Sequence, residues 1–422
     1  MADDISSGGP HSLSSITAPC RSELYPETIK LLLDARKISD GGIGTYIRNL
    51  VSGLSARRDI TLTVLVRERE ARDEQLRHIP RVLTTSGLYS FHELVRLGAE
   101  VPWRSFTLFH TPHFVLPLRI PIPSVVTIHD LNHLYHPERP YYPVIAFPYF
   151  VSAIVRARGI IAVSRQTAQE IARFSWRNRR VAEKVSVIPN CVAALAKSDI
   201  EAHNDTRSNE ESGSVPKPYF LAVISTDKPH KGVADLLTAF GQIADQYPTL
   251  TLVIIGAGTP PRQAIPAHLA PRIRLEGLVD QFSLWRWYRA AEAVVVASRQ
   301  EGFCLPVIEA HAVGVPVVAR PVSTLTEVVT ADDEVAADMS VKALGDAMSR
   351  MMHRKRRKNT DGEQERLIEH AARYSIAEVT ARTVDCYQRA MPQRERERLN
   401  QMNCERHGIK GRPSLSTPGE ML

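Results

Sequence analysis

Glu301-Gly302-Phe303-Cys304-Leu305-Pro306-Val307-Ile308-Glu309 is the most strongly patterned stretch of the chain. Pro306 suits the first position of a helix and Gly314 suits its close, so a helix is expected over about Pro306–Val313. Amides at a helix start have no carbonyl one turn back. Those of Cys304 and Leu305 would therefore point outward, where an anion can dock. Glu309 falls about one turn into the helix and Glu301 in the loop before it. Two carboxylates then bracket an anion site, one suited to sugar hydroxyls and the other to a ribose. The plainer alternative is a helix cap followed by a surface glutamate.

Outward from this stretch, short apolar runs alternate with helical periodicity. Strands are expected at Tyr219–Ile224, Leu250–Ile255, Ile273–Glu276, Ala293–Ala297 and Val315–Ala319. Helices are expected at Val233–Tyr247, Gln281–Ala291 and Val341–Met351. The first half repeats the scheme, with strands at Ile29–Leu33, Ile60–Val66, Ser124–Ile128 and Gly159–Val163. A helix carries Ile43, Ile47, Leu50, Val51 and Leu54 on one face, and another spans Gln166–Phe174. Such alternation implies parallel sheets covered by helices on both faces. The fold class expected is α/β, with two doubly wound Rossmann-like domains facing a central cleft. The first domain spans 28–195 and the second 218–375, joined by a polar linker at 196–217. A last helix at about 376–391 follows, and residues 1–27 and 392–422 read as loose ends.

The composition agrees. A chain of 422 residues exceeds the size of one core, and 43% hydrophobic with 23% charged residues is ordinary for a globular protein. Aromatics at 6% do not suggest a stacking platform, so no nucleic-acid partner is expected. Five scattered cysteines without a Cys-x-x-Cys pair argue against a disulfide framework and favour a reducing compartment. The net charge of +7 favours acidic partners such as phosphorylated substrates or anionic lipid heads. The basic run at 354–358 reads as a solvated surface. The start of the sequence lacks the basic and apolar pattern of a secretory signal, so a cytoplasmic location is expected. Tyr141–Val155 is too short to span a membrane and is interrupted by Pro143 and Pro148. It reads as a buried segment, or as a surface leaning on the inner face of a membrane or on a lipid-linked acceptor.

Three further motifs sit where strands end. Gly41-Gly42-Ile43-Gly44 opens a helix, and its glycines permit close backbone approach to an anion. Ile47 stands where a dinucleotide fingerprint needs its third glycine. The Gly256-Ala257-Gly258 loop fails in the same way at Pro261, so a nicotinamide enzyme is disfavoured. Thr127-Ile128-His129-Asp130 ends a strand, where α/β proteins bind ligands. Lys228-Pro229-His230-Lys231-Gly232 offers cationic groups suited to a diphosphate.

Taken in order, these stretches resemble the retaining glycosyltransferases of family 4, which have the GT-B fold. The resemblance rests on Glu301…Glu309 and Gly41–Gly44 with Arg48-Asn49-Leu50. It also rests on Val126–Leu131, Ile161–Ser164 and Val187–Asn190. Lys228–Lys231 is similar to the subset containing many mannosyltransferases. The resemblance implies that Lys231, with Lys228 beside it, neutralises the leaving diphosphate and that Glu309 holds the ribose. It implies that Glu301 contacts the transferred sugar, that the Cys304 and Leu305 amides bind phosphate, and that His129 lies near the reacting sugar. Gly42 and Gly44 would let the first domain close over the diphosphate.

The function so implied is transfer of a sugar, mannose first, from a nucleotide sugar such as GDP-mannose to a glycan or lipid-linked acceptor, with retention. No cofactor is expected. No metal is expected either, since no Asp-x-Asp occurs in the chain. A sugar-nucleotide epimerase or phosphorylase on the same scaffold, or a catalytically weakened scaffold protein, are the alternatives. The last is motivated by Ser225 and Asp227, where the family often has Gly and Arg, and by Cys304, where it has Gly.

Overall fold

A computed structural model describes residues 28–137, 139–193, 218–224, 228–256, 265–356 and 362–393. The expected loose start 1–27, the linker 196–217 and nearly all of the tail 392–422 lie outside the described residues.

Two parallel sheets organise the chain. The first contains β1 (Ile29–Asp34), β2 (Ile60–Val66), β3 (Arg81–Leu83), β4 (Leu108–Thr111), β5 (Ser124–Ile128), β6 (Gly159–Ala162) and β7 (Val185–Val187), in the order β3-β2-β1-β4-β5-β6-β7. The second contains β8 (Tyr219–Val223), β9 (Thr251–Ile255), β10 (Ile273–Gly277), β11 (Ala293–Val296), β12 (Val317–Ala319) and β13 (Glu334–Val335), in the order β10-β9-β8-β11-β12-β13. Runs such as Ser-Val-Val-Thr-Ile and Ala-Val-Val-Val are buried throughout, as strands covered on both faces must be. Each sheet has two apolar layers. Leu31, Leu33, Ile47 and Leu50 lie on one side of the first sheet, and Leu32, Phe109, Phe150 and Ile154 on the other.

In both sheets the strand order reverses between the first strand and its neighbour, at β1/β4 and at β8/β11. Ligands of doubly wound sheets bind in the crevice that opens beyond the strand ends at such a reversal. The connections that lead to Gly42, Lys231 and Glu301 follow β1, β8 and β11, the strands at these points.

The final helix, Ile376–Ala390, packs back on the first domain. There Tyr387 Oη lies 2.7 Å from His110 Nδ1, and the other ring nitrogen of His110 lies 2.9 Å from Thr127 Oγ1. Burial lowers the pKa of His110 to about 3, so it is a neutral structural group. The return crossing is fastened by Val192, whose amide donates to the Tyr374 carbonyl at 2.9 Å.

Candidate active site

One cavity of about 600 Å³ lies between the two domains. Gly41, Gly42, Ile43, His129, Asp130 and Asn132 line it from the first domain. Lys228, Lys231, Glu301, Gly302, Cys304, Leu305 and Glu309 line it from the second. Of the expected site residues, Gly44 alone is not on this wall. It is buried at the start of the helix Gly41–Ser55, and a Cβ there would lie 2.4 Å from the Ile38 carbonyl oxygen. Gly44 lets the helix pack against the loop that precedes it, instead of lying over a diphosphate as expected.

The helix at the centre of the motif runs Leu305–Ala312, one residue earlier than expected, so Pro306 takes its second position. Cys304 is the residue before it, with φ 79° and ψ 77°, a backbone region that L-residues enter at a cost of about 1–2 kcal/mol. Glycine would enter it freely. Burial pushes the Cys304 thiol well up, so it stays neutral and adds no negative charge beside a phosphate. No side chain caps the helix. The amides of Cys304 and Leu305 have no acceptor among the described residues. With cysteine at this position the two amides thus remain unpaired at the start of the helix.

Lys231 ends the short turn Pro229–Lys231. The Arg299 amide donates to the His230 carbonyl at 2.7 Å, tying this turn to the loop after β11. That tie brings Lys231 Nζ within 2.8 and 3.0 Å of the two Glu301 oxygens. Burial works against the lysine charge, but the adjacent carboxylate more than offsets it and Lys231 is raised above its ordinary pKa. The ammonium expected to meet the diphosphate is therefore held, before donor arrives, by the carboxylate expected to meet the sugar.

Glu309 faces the cavity and accepts a 2.6 Å hydrogen bond from the Tyr288 hydroxyl. Burial raises its pKa, with the Tyr288 hydrogen bond opposing. A raised folded-state pKa means that the stabilised form is the acid, so ionised Glu309 costs stability at neutral pH. Glu309→Gln is expected to raise the melting temperature of the free protein at pH 7. It should also raise the donor KM by about 10- to 100-fold, the worth of hydrogen bonds to a charged acceptor. Wild-type donor affinity should fall towards acid pH while the variant's does not. Thermal melts and pH-resolved KM values test this, and a lower melting temperature with unchanged KM would refute it.

His129 sits at the end of β5. Burial lowers its pKa to about 4, and its Nε2 lies 3.1 Å from the Pro112 carbonyl oxygen. A carbonyl only accepts, so Nε2 carries the hydrogen and Nδ1 is an acceptor. His129 is thus a neutral group able to orient a sugar hydroxyl, with Tyr46 edge-on to its ring at 5.1 Å.

Contacts that the sequence reading did not single out close the two domains together. Gln300 donates to Asn132 Oδ1 at 2.5 Å. Glu327 accepts from the Arg165 and Gln166 amides at 2.8 and 2.9 Å, at the start of the helix Arg165–Phe174. A Cβ on Gly302 would lie 2.2 Å from the His129 carbonyl oxygen. These are pairwise placements without a local sequence signature. Ser225, Asp227 and residues 257–264 lie outside the described residues.

Asp34, Glu93 and His113 bring potential metal-ligand atoms together at the end of β1. The space is held by Arg36, whose guanidinium lies 2.5 Å from each carboxylate and offsets one of the two negative charges there.

Comparison with known proteins agrees with the geometry. Residues 40–194 match Glycosyltransferase Family 4, and residues 204–373 match Glycosyl transferases group 1. The chain belongs to the family 4-like glycosyltransferases. It is 32% identical over 204 residues to D-inositol 3-phosphate glycosyltransferase 2 of Catenulispora acidiphila, covering 44% of this chain and 47% of that protein. It is 29% identical over 255 residues to O-antigen chain mannosyltransferase B of Escherichia coli, covering 56% and 63%. The chain thus spans about half the length of curated relatives it matches. Anabaena Alr3699/HepE, solved with UDP-glucose, superposes with a TM-score of 0.65 at 17% identity, covering 85% of this chain and 99% of that one. Such neighbours share the GT-B fold. The epimerase, phosphorylase and scaffold alternatives are not favoured. No helix among the described residues is long and apolar enough to cross a membrane.

Proposed function

We propose that this glycosyltransferase moves a hexose, mannose first, from a nucleoside-diphosphate sugar to a glycan or lipid-linked acceptor at a membrane face, with retention and without a metal. The observation that carries the reading is the convergence of Lys231, the free amides of Cys304 and Leu305, and the two carboxylates on one interdomain cavity. The mannosyl part draws on relatives named as mannosyltransferases, and GDP-mannose is the first donor to test, with UDP-glucose second.

Transfer breaks the bond from the anomeric carbon to the leaving phosphate oxygen and forms one to an acceptor oxygen. Charge develops on the diphosphate, where Lys231 and the helix amides are aimed. No side chain in the cavity is an evident nucleophile. The reading therefore lets the acceptor approach on the leaving-group face, where the departing phosphate takes its proton. Closure of the domains excludes water from the donor.

The test is a thermal-shift and calorimetry panel of nucleoside diphosphates and their sugars, each with and without EDTA. One base should raise the melting temperature, by about 2.7 kcal/mol of added stability at 100 times Kd. EDTA should leave binding and turnover unchanged, and NMR of the product should show the donor's anomeric configuration. No shift with any nucleotide, or a shift requiring a divalent cation, defeats the proposal.

A further inference from the structure

The helix Tyr142–Arg156 presents an outer face that stands exposed, covered by none of the described residues. Val144, Phe147, Val151 and Val155 recur on it at helical spacing with Ile145 beside them, and all are exposed, Val144 to 77% and Val155 to 63%. The opposite face, with Ala146, Phe150, Ala153 and Ile154, fills the first domain's core. Phe147 and Phe150 meet Phe174 at ring separations of 5.5 and 6.2 Å, so the end of the helix Arg165–Phe174 adjoins the strip. Just beyond it Trp176 stands 92% exposed with φ 49°.

Charge is arranged to match. No Asp or Glu occurs between Glu138 and Glu170, while Arg139, Arg156, Arg158 and Arg165 do. Arg173, Arg177, Arg179 and Arg180 surround Trp176 and are exposed, and Glu183, the acid that follows them, pairs with Arg179. The strip begins at the catalytic cleft. His133 lines the cleft and packs edge-on against Tyr142 at 5.6 Å, and Tyr141 is exposed beside it.

We infer that this face, made by the outer side of Tyr142–Arg156 together with Trp176 and its arginines, docks on an anionic lipid bilayer. It would enter only to interfacial depth, with the cleft mouth at His133 turned towards the membrane. Apolar side chains enter the headgroup boundary, the exposed indole anchors there, and the arginines meet anionic lipid. The inference deepens the proposed function by naming how a lipid-linked acceptor is met, but the docking itself does not depend on sugar transfer.

Flotation of the full chain with vesicles tests it. Binding is expected to vesicles of phosphatidylcholine mixed with phosphatidylglycerol, to weaken with salt, and to be slight on phosphatidylcholine alone. Val144→Asp with Val155→Asp should lower partitioning about tenfold or more, as should Arg177→Glu with Arg180→Glu. All these side chains are exposed, so melting temperatures should hold. Lipid-borne quenchers should dim the wild-type fluorescence more than that of Trp176→Phe. Vesicle binding unaffected by either pair of substitutions overturns the inference. So does absence of binding, or a dimer that Val144→Asp dissociates, which would assign the face to a second copy. Calorimetry with nucleoside diphosphates on the same variants separates the two proposals. Vesicle binding without nucleotide binding would sink the transferase reading alone, and the reverse would sink the docking alone.

Discussion

Lys231→Ala is expected to lower kcat by about 10²-fold or more, the loss typical when one donor to a developing anion is removed. The structure gives a reason to expect a second effect. Lys231 and Glu301 form a half-buried pair at 2.8 Å, and deleting one partner leaves the other charge uncompensated in a site of low polarity. A lone Glu301 carboxylate beside the diphosphate would repel it, so the donor KM should rise along with the fall in kcat. The two residues should therefore be coupled. Glu301→Gln added to Lys231→Ala should recover part of the donor affinity, although it also alters the group proposed to meet the sugar and does not restore kcat. A double-mutant cycle on kcat and donor KM measures this, with an interaction energy of about 1–3 kcal/mol expected for contacting charges. Unchanged kcat at saturating donor for Lys231→Ala would remove the lysine from the leaving-group role. Strict additivity would show that the ion pair does not survive into the donor complex.

The part of this arrangement legible in the sequence is the part written in local patterns. Apolar runs such as those at β5, β8 and β11 and the periodic face of Gly41–Ser55 mark elements because each must bury one side. The paired glutamates are visible because a helix start and a fixed spacing put them near one anion site. What escapes reading is set by partners distant in the chain. β4, a central strand, carries His110 and Thr111, polar residues that hide its apolar character, and the buried imidazole is paired by Tyr387 and Thr127 from other elements. β3 and β7 are edge strands of three residues each, too short to carry a period. Arg36 reaches Glu93, and Lys231 reaches Glu301, across 57 and 70 residues, through contacts that no local spacing encodes. Gly44 misleads for a related reason. A glycine kept for packing against Ile38 and one kept for a ligand read alike until the neighbouring backbone is in view.

Gly302 shows what such a neighbour does. Its φ lies outside the left-handed region, so alanine would cost little within its own loop. The obstacle is the other domain. A Cβ would lie 2.2 Å from the His129 carbonyl oxygen, 3.0 Å from its carbon and 3.4 Å from Asp130 Cβ, and that carbonyl is already held by Thr167 Oγ1 at 3.1 Å. Neither side of this contact is a flexible side-chain end, so Gly302→Ala must move the domains apart. The shift required is about 1 Å, and misplacement on that scale at a reacting centre costs about 10²-fold in rate. Lys231, Glu309 and the helix amides all belong to the second domain, so nucleoside diphosphate binding should change little. The expected signature is thus a kcat loss of about 10²-fold with a nearly constant nucleotide Kd. Small-angle scattering of the free protein should show a wider separation of the domains. Gly42→Ala supplies the control for that scattering measurement, because its added methyl would meet Leu305 Cδ1 at 4.0 Å, an ordinary contact, and leave the free domains in place. Full activity in Gly302→Ala would mean that catalysis does not need the two domains as close as this carbonyl and this glycine bring them.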